Sequence, residues 1–313
     1  MVNFALVGAA GYIAPRHLAA IHKTGNRLVA AFDPCDSVGI LDQYSTQVNF
    51  FTEFERFDRH LERLRRGPEE GRVQFVSICS PNYLHDAHCR QALRIGADAI
   101  CEKPIVINPW NLDALQEIER EYGKRILNVL QLRLHPKIVE LRERIARNKD
   151  GKKHDVVLTY VTARGKWYHY SWKGDLNKSG GIATNIGVHF FDMLTWIFGN
   201  AVDSRVYFSD QCRTAGFVEL ERARVSWFLS IDEADIPQQK VLGSGSTFRS
   251  ITVDGEEIDF TTGFADLHTR VYEEVLAGRG FGIDDVRASI ELVHSIRHAP
   301  LSVRDEMTHP SLV

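Results

Sequence analysis

Cysteine is scarce in this sequence, and no two cysteines have the spacing of a metal or redox pair. The five cysteines, at positions 35, 79, 89, 101 and 212, include no C-x-x-C motif. Cys79 and Cys101 lie within apolar runs, where cysteine packs as a small hydrophobic residue. We therefore expect reduced cysteines and a cytoplasmic location.

The sequence also lacks the charge excess of a nucleic-acid-binding protein and the long apolar run of a membrane protein. The net charge is −3, and the arginines between Arg56 and Arg72 are interleaved with glutamates, which is typical of a solvated helix face and loop. There is no signal-peptide pattern and no apolar stretch long enough to span a bilayer. We expect neither nucleic acid nor membrane as a partner, and 313 residues suffice for two domains.

The N-terminus carries the pattern of a dinucleotide-binding loop. Residues 4–7 form a short apolar strand that runs into a turn of small residues. Gly8 permits the tight turn, small residues at positions 10 and 11 let the backbone approach a pyrophosphate, and Ala14 lets the next helix pack on the strand. The expected cofactor contacts in this loop are Gly8, Ala10, Gly11, Tyr12 and Ile13.

An acidic residue stands where a ribose-binding carboxylate is expected. A second apolar strand, residues 28–32, ends in Asp33, which lies 19 residues after Ala14. A carboxylate at this position accepts hydrogen bonds from the adenosine ribose and repels the 2′-phosphate of NADP. The predicted cofactor is therefore NAD.

Apolar strands and helices alternate up to residue 133, as a doubly wound parallel sheet requires. We therefore expect a dinucleotide-binding domain at residues 1–133 and a second domain at residues 134–313. Ligands of open α/β sheets bind at the carboxyl ends of the strands, so polar residues at these ends are candidate site residues. After the predicted strands at 73–79 and 126–132, these candidates are Ser80, Asn82, His85, Gln131 and Arg133.

The predicted strand at residues 97–101 ends in Glu102-Lys103-Pro104. An ammonium group in a cleft beside a cationic nicotinamide loses its proton more readily than in water, so Lys103 is a candidate catalytic proton carrier. Pro104 keeps Lys103 extended and stops the strand. A lone E-K-P is more often a surface lysine before a turn, but its position after a dinucleotide-binding pattern favours the catalytic role.

The second half has the alternating pattern of an antiparallel sheet with one covered face and one open face. We expect an α+β domain with a largely antiparallel, open-faced sheet. Its open face would be an oligomer interface or the floor of a substrate cleft. The predicted strands are residues 155–161, 202–209, 222–232 and 249–253, and the predicted helices are residues 136–147, 265–276 and 284–298.

The segment around His189 holds the densest polar chemistry of this half. On a helix, Asn185, His189 and Asp192 would share one face. His189 could take a hydroxyl proton, because imidazole titrates near neutral pH, and Asp192 could fix its tautomer. Neither His189 with Asp192 nor His85 with His88 offers a complete ligand set, so no metal is expected.

These motifs resemble the glucose–fructose oxidoreductase / inositol dehydrogenase / rhizopine-catabolism family. The resemblance rests on E-K-P at positions 102–104 and on the G-G-x-x-x-D-x-G-x-H-x-x-D pattern at residues 180–192, and it extends over nearly the whole chain. Within the family, three runs are similar to the UDP-N-acetylglucosaminuronate 3-dehydrogenases. These runs are residues 77–85, 130–133 and 184–190.

Two residues depart from the family pattern. Ala10 stands where a glycine is usual, which weakens the argument for the pyrophosphate loop slightly. Asn185 stands where an aspartate is usual, and this change removes a carboxylate. The second departure argues against a proton relay through position 185.

The resemblance implies oxidation of the C3 hydroxyl of UDP-N-acetyl-glucosaminuronic acid by NAD, at the start of a route to diacetamido-uronic acids of surface polysaccharides. Lys103 and His189 would flank the reacting carbon. One would take the hydroxyl proton and the other would polarise the oxygen, with Lys103 narrowly favoured as the base. The resemblance also implies a homo-oligomer, with a tetramer favoured. Reoxidation of NADH, by free exchange or by a 2-oxo acid, stays open.

Residues 162–173 complete the candidate site, because they offer aromatic and basic groups for a sugar face and a uronate carboxylate. In the family, the Trp at position 172 commonly approaches the nicotinamide amide. The expected cofactor-binding residues beyond the first loop are Asp33, Ser80, Asn82, His85, Glu102, Lys103, Gln131 and Trp172. The expected substrate-binding residues are Lys103, Arg133, Arg164, Tyr168, Lys173, Asn185 and His189.

Three alternatives stay open from the sequence. The chain could be another sugar or inositol dehydrogenase of the same family, a non-catalytic NAD-binding regulator, or a redox-neutral enzyme such as an NAD-dependent glycosidase. Retention of both Lys103 and His189 argues against the regulator.

Overall fold

The computed structural model describes residues 1–148, 151–237, 247–258 and 266–312. The chain forms two compact units. The first comprises Met1–Gln131 and Asp266–Arg287, and the second comprises Leu132–Ala265 and Ala288–Val313. The sequence predicted one boundary near residue 133. That prediction did not include the segment Asp266–Arg287, which belongs to the first unit.

The first unit is built on a six-stranded sheet in which all neighbouring strands are parallel. The order β3-β2-β1-β4-β5-β6 is that of a doubly wound nucleotide-binding sheet, which confirms the predicted fold class. β1 is buried along its whole length, as expected of a strand covered on both faces. The strands are β1 (Asn3–Val7), β2 (Arg27–Phe32), β3 (Asn49–Phe51), β4 (Phe75–Ile78), β5 (Asp98–Cys101) and β6 (Ile126–Asn128).

Two strands of this sheet differ from the sequence prediction. β3 has three residues, too few to show an alternating pattern, and was not predicted. β6 ends at Asn128 and not at position 132. The Asn128 side chain turns back to donate to the Cys101 carbonyl oxygen at 3.0 Å, and a 3-10 turn, Gln131–Leu134, follows. Gln131 and Arg133 therefore lie on a turn.

The helices follow the apolar periodicity of the sequence. In α1, Pro15 occupies the first turn, and Leu18 and Ile21 are buried three residues apart while Lys23 is exposed. No helix in the part of the chain that the structure describes is both long and apolar enough to cross a bilayer. The predicted helix start at Ala265 lies outside the described residues. In chain order the helices are α1 (Ala14–Lys23), α2 (Phe54–Arg66), α3 (His85–Arg94), α4 (Trp110–Tyr122), α5 (Pro136–Arg147), α6 (Trp167–Tyr170), α7 (Leu176–Ser179), α8 (Val188–Phe198), α9 (Leu267–Leu276) and α10 (Ile283–His298).

The second unit contains a mixed, mostly antiparallel six-stranded sheet in the order β12-β11-β7-β10-β9-β8. β7 and β10 run parallel, and the other neighbours are antiparallel. A single parallel pair among these neighbours agrees with the expectation of a largely antiparallel sheet, and β9 was not predicted. The strands are β7 (His154–Thr162), β8 (Ala201–Ser209), β9 (Arg213–Leu220), β10 (Ala223–Ser230), β11 (Thr247–Val253) and β12 (Glu256–Glu257).

Helix α8 covers one face of this sheet. The ring of Phe191 meets Trp227 of β10 edge-on at 5.3 Å between centroids, and Phe190 lies 4.6 Å from Tyr160 of β7. A Cβ at Gly187 would come within 2.6 Å of Leu229. The helix and sheet therefore approach each other closely at that glycine.

The opposite face, predicted to be open, carries part of the C-terminal segment. The His309 ring stacks on Phe228 at 5.6 Å, and Ser226 donates to the Met307 carbonyl oxygen at 2.7 Å. Burial lowers the pKa of His309 to about 4, so the ring is neutral near pH 7. The chain itself thus occupies part of the face that was expected to receive a partner or a substrate.

A buried ion pair joins α8 to the turn after β6. Arg133 donates from Nε and one terminal nitrogen to the two carboxylate oxygens of Asp192, at 3.0 and 2.8 Å. Both side chains are almost fully buried, and the guanidinium lies 5.7 Å from the Trp196 ring. Such a pair is destabilising to break, because the remaining charge stays buried without its partner.

We predict that Arg133→Met and Asp192→Leu each lower the free energy of unfolding by roughly 3–5 kcal/mol. The double variant should lose less than the sum, because it leaves no uncompensated charge. Urea denaturation followed by tryptophan fluorescence measures both effects. Arg147→Met, which breaks an exposed pair with Glu143, should change stability by about 0–1 kcal/mol. Equal, small losses in all variants would contradict the structural role of Arg133.

Candidate active site

The predicted dinucleotide loop follows β1, where the carboxyl ends of β1 and β4 lie side by side. Gly8 has φ +88°, and a Cβ there would lie 2.7 Å from the Cys79 carbonyl group and the Ser80 amide. The Gly11 amide closes the turn by donating to the Gly8 carbonyl oxygen at 3.0 Å. The left-handed backbone and the close approach both require glycine at position 8.

Helix α1 begins directly after this loop. Its N-cap is Ile13, and no side chain makes a capping hydrogen bond. Tyr12 is 88% exposed. An N-terminus without a side-chain cap suits a phosphate group, because amide donors and the helix dipole both favour negative charge there. The loop therefore fits the pyrophosphate of a dinucleotide.

Asp33, at the end of β2, is buried and supports the loop. Its Oδ2 accepts a hydrogen bond from the Ala10 amide at 3.0 Å, and its Oδ1 accepts one from the Cys35 amide at 2.9 Å. Each carboxylate oxygen can accept more than one hydrogen bond, so these contacts are compatible with the predicted ribose contacts. Position 10 thus takes part in the site through its backbone, which alanine supplies as well as glycine does.

The polar residues after β4 connect that strand to the E-K-P segment. The His85 ring lies between two carbonyl oxygens, with Nε2 2.7 Å from the Ser80 oxygen and Nδ1 2.7 Å from the Pro104 oxygen. Burial lowers the pKa of His85, while the two carbonyl oxygens favour its protonated form. The Ser80 hydroxyl lies 2.8 Å from Nδ1 of His88, and Asn82 is buried on a short 3-10 turn. His85, expected to bind cofactor, has both ring nitrogens engaged with the backbone; its cofactor role stays a prediction.

Lys103 is half-buried just beyond the end of β5. The Lys103–Pro104 peptide bond is cis. Glu102 is buried, and its Oε1 accepts from Nε2 of His17 at 3.0 Å and from Nε2 of His268 at 3.2 Å. Burial alone would raise the pKa of Glu102, but these hydrogen bonds and the nearby histidines outweigh it and hold the pKa well below its usual range. Glu102 is therefore a buried carboxylate.

Gln131 lies on the 3-10 turn after β6. Its Oε1 is buried and has no hydrogen-bond partner among the residues that the structure describes. Buried polar atoms are rarely left without a partner, so this carboxamide fits a group of a bound cofactor. Together with the Gly8 turn and the start of α1, it indicates that the first unit fits NAD.

In the second unit, His189 is half-buried in the first turn of α8. The residues before it, Ala183–Gly187, form a π-helical turn, a feature frequent at functional sites. Asn185 lies in this turn and donates to the Tyr168 hydroxyl at 2.7 Å. Asp192, expected to orient His189, receives both hydrogen bonds of Arg133 described above. The π turn changes the spacing of the face that a continuous α-helix would give these residues.

The segment after β7 places two cationic side chains near each other. Lys173 Nζ lies 4.4 Å from the Trp172 ring centroid and 5.5 Å from that of Trp167. Burial and, to a smaller extent, the charge of Arg164 lower the pKa of Lys173. Two cations that repel each other are stabilised by an anion between them. The arrangement therefore fits the predicted carboxylate-bearing sugar, and Tyr168 beside it is buried.

The sequence analysis missed three residues of the first unit that surround Glu102. His17 lies on α1, and His268 and Tyr272 lie on α9. All three are buried, and a histidine within an apolar helix pattern gives no signal of the partner it will meet. One potential metal-ligand atom from each of His17, Glu102 and His268 lies within 4.8 Å of the other two. The geometry of these three residues is therefore also compatible with a metal ion.

The chain is similar over its full length to a dehydrogenase of known structure. The WlbA (WbpB) dehydrogenase from Thermus thermophilus, solved in complex with NAD and α-ketoglutarate, is 49% identical, with a TM-score of 0.95 and 100% of both chains covered. A structure of the same dehydrogenase in complex with NAD and UDP-GlcNAcA gives 48% identity, with the same TM-score and coverage.

Curated relatives are more distant and match in part. D-glucoside 3-dehydrogenase from Escherichia coli (strain K12) is 28% identical over 127 residues, which cover 40% of this chain and 35% of that protein. Inositol 2-dehydrogenase from Rhizobium meliloti (strain 1021) is 24% identical over 201 residues, 63% of this chain and 55% of that protein. The chain thus spans about a third to a little over half of the length of these relatives.

Two family descriptions cover most of the sequence. Residues 2–130 match the oxidoreductase family with an NAD-binding Rossmann fold, and residues 142–303 match the C-terminal alpha/beta domain of the same oxidoreductase family. The predicted resemblance is confirmed, and the chain belongs to the Gfo/Idh/MocA oxidoreductase family.

Proposed function

We propose that this protein oxidises the C3 hydroxyl of UDP-N-acetyl-glucosaminuronic acid to the 3-keto sugar with NAD. The observation that carries the proposal is the full-length likeness, at 48% identity, to a dehydrogenase whose structure holds NAD and UDP-GlcNAcA. The paired cations Arg164 and Lys173 support it, because they suit the uronate carboxylate. A free sugar or inositol has no carboxylate, so the same cations would have no partner on it.

The acid–base work is assigned to Lys103 and His189. Bound NAD supplies the acceptor for the hydride that leaves C3 and, once reduced, can pass it to a 2-oxo acid. Lys103 takes the proton of the C3 hydroxyl, and His189 donates a hydrogen bond to the oxygen as negative charge develops on it. The proton and the hydride leave the same carbon–oxygen unit, so the product is a ketone. Both residues are half-buried, which leaves part of each side chain accessible to a ligand.

The remaining site assignments are proposals of the same kind. The loop after β1, Asp33, Ser80, Asn82 and Gln131 are proposed to hold NAD, with Trp172 beside the nicotinamide. Asn185 is proposed to contact the sugar through its carboxamide. Arg133 is the least supported member of the predicted substrate set, because Asp192 already occupies two of its nitrogens.

We also infer that a 2-oxo acid such as α-ketoglutarate reoxidises the cofactor. The support is the Thermus thermophilus structure in complex with NAD and α-ketoglutarate, at 49% identity. α-Ketoglutarate, like the sugar substrate, carries carboxylates and a carbonyl carbon. The same cationic and acid–base residues could therefore serve both half-reactions in turn. Reduction of the 2-oxo acid to a 2-hydroxy acid consumes the hydride and proton that sugar oxidation releases.

The biological setting follows from the proposed substrate. A 3-keto UDP-uronic acid is suited to amination, and the proposed role is the first step toward diacetamido-uronic acids of surface polysaccharide such as O-antigen. All five cysteines are free thiols, and three are buried, which supports a cytoplasmic enzyme. A homotetramer remains the proposed assembly.

The substrate proposal predicts a change in absorbance at 340 nm. Adding UDP-GlcNAcA to the protein with NAD should raise it, and adding α-ketoglutarate should then lower it. UDP-GlcNAc, which lacks the carboxylate, should have a kcat/KM lower by roughly 10- to 100-fold, since a hydrogen bond to a charged group contributes about 1.5–3 kcal/mol. Equal turnover of the two sugars would remove the uronate assignment. If α-ketoglutarate did not lower the absorbance at 340 nm, only the proposal that a 2-oxo acid reoxidises NADH would be refuted.

Asp33 is predicted to set the preference for NAD over NADP. Asp33→Ala should lower the ratio of kcat/KM with NAD to kcat/KM with NADP by about tenfold. This is the change expected when ~1.4 kcal/mol of repulsion between the carboxylate and the 2′-phosphate of NADP is lost. Asp36→Ala, at an exposed aspartate three residues later, is the control and should leave the ratio unchanged. Because Asp33 also accepts the Ala10 amide, some loss of NAD affinity should accompany the change. A ratio equal to that of the wild type would disprove the role of the charge.

Lys103→Met is predicted to abolish turnover while NAD still binds, because the loop after β1 is untouched. His189→Asn should lower kcat by roughly 10²- to 10⁴-fold, as is typical of one positioned acid–base or donor group. Stopped-flow absorbance gives kcat, and quenching of tryptophan fluorescence gives NAD affinity. Lys137→Met, at an exposed lysine, controls for loss of charge. If Lys103→Met kept a kcat near that of the wild type while His189→Asn had no measurable activity, His189 would be the base and Lys103 the oxyanion contact.

A further inference from the structure

The proposed function assigns no role to the buried hydrogen-bond network next to Lys103. Its centre is the buried Glu102 carboxylate, which is the residue before Lys103 in the chain. His17 and His268 approach the same oxygen, Oε1, from two different helices. The rings of the two histidines meet edge to face, 5.2 Å between centroids. The two histidines need not touch a ligand in order to act on Glu102, which was itself expected to bind the cofactor.

The direction of each hydrogen bond follows from the acceptor at the end of the network. An ionised carboxylate only accepts, so His17 donates from Nε2, and its Nδ1 must accept in the neutral ring. The partner of Nδ1 is the Tyr272 hydroxyl, 2.8 Å away, which therefore donates. The Ser77 hydroxyl lies 2.6 Å from the Tyr272 oxygen and donates to it. Four groups thus form one directed chain, Ser77 to Tyr272 to His17 to Glu102.

The ionisation states agree with this direction. Burial lowers the pKa of His17, so the ring is neutral and keeps one donor and one acceptor. Burial raises the pKa of Tyr272 well above its usual value, so the hydroxyl stays protonated and can donate a hydrogen bond. A chain of aligned donors polarises each member, and it holds the terminal carboxylate in one orientation.

The second oxygen of Glu102 connects the network to the catalytic residue. Glu102 Oε2 accepts a hydrogen bond from the Lys103 backbone amide at 3.2 Å. On the other side of Lys103, Nδ1 of His85 lies 2.7 Å from the Pro104 carbonyl oxygen. The backbone on both sides of Lys103 is therefore fixed by buried side chains, and the orientation of Oε2 depends on the two histidines at Oε1.

We infer that His17 and His268 are positioning residues for Lys103: they hold the Glu102 carboxylate in one orientation, and through it they fix the Lys103 backbone. The inference rests on the proposed role of Lys103 as the base. Positioning matters because displacement of a catalytic group by about 1 Å can lower the rate ~10²-fold. NAD binding should not depend on the two histidines.

The test compares variants that keep or remove the donor at each histidine. Glutamine can place an amide N–H near the position of imidazole Nε2, whereas leucine cannot donate. We expect His17→Leu and His268→Leu to lower kcat by roughly 10- to 100-fold, with KM and NAD affinity changed by less than about threefold. His17→Gln and His268→Gln should stay within about fivefold of the wild-type kcat. His22→Leu, at an exposed histidine on α1, should behave as wild type.

A second measurement reads the Lys103 backbone directly and needs no substrate. In full-length protein labelled with ¹⁵N-lysine and saturated with NAD, the amide signal missing from Lys103→Arg is that of Lys103. Its hydrogen exchange should be at least about tenfold faster in His17→Leu than in the wild type, because the orientation of Glu102 Oε2 is lost. In His17→Gln the exchange rate should be close to that of the wild type.

The outcomes separate this inference from the proposed function. If wild-type protein fails to oxidise the sugar but Lys103 exchange responds as expected, the positioning stands and the proposed substrate fails. If the leucine and glutamine variants lose activity equally, or if Lys103 exchange does not change, the histidines act only in packing. Elemental analysis by mass spectrometry completes the test: one bound metal per chain, lost in His17→Leu, would replace the hydrogen-bond network by a metal site.

Discussion

The carboxylate of Glu102, buried directly after β5, constrains the residues around it. Burying an ionised carboxylate is strongly unfavourable unless donors surround it, and here the donors come from α1, from α9 and from the backbone. The network therefore requires that α1, α9 and the end of β5 keep one arrangement. A segment from late in the chain, Asp266–Arg287, belongs to the first unit and brings His268 and Tyr272 to this point. The backbone amide of Lys103 donates to this carboxylate, so stability and the geometry of the proposed catalytic group depend on the same contacts.

The nucleotide end of the first unit is organised in a similar way. Strand order alone places the carboxyl ends of β1 and β4 together at the point where ligands of such sheets bind. Asp33 then holds the loop through the Ala10 amide, and Gly8 lets the loop lie against the end of β4. This explains how the family's usual glycine at position 10 is replaced without loss of the turn. The contact needs the backbone N–H, and an alanine provides it.

The parts of the fold that follow from local pattern were predictable, and those that depend on distant partners were not. Buried strands such as β1 and β4 show as apolar runs, and the position of Asp33 follows from the spacing of the nucleotide motif. The parallel pairing of β7 with β10 joins segments far apart in sequence, and no local pattern encodes it. His17 and His268 are separated by most of the chain. The catalytic candidates could be named from motifs, whereas the groups that orient them could not.

The asparagine at position 185 bears on the division of acid–base work. Its amide donates to the Tyr168 hydroxyl inside the second unit, and burial raises the pKa of Tyr168, so that pair is neutral. An aspartate in the same place would be a buried negative charge one helical turn before His189, and it would favour the imidazolium form of that histidine. With asparagine, no carboxylate at position 185 can pass a proton to or from His189. Glu102, in contrast, is held ionised by two histidines and is adjacent in sequence to Lys103. The buried carboxylate next to a proposed catalytic group is therefore on the Lys103 side, where Glu102 Oε2 accepts the hydrogen bond of the Lys103 amide, so its contribution to the proposed base is the position of the backbone.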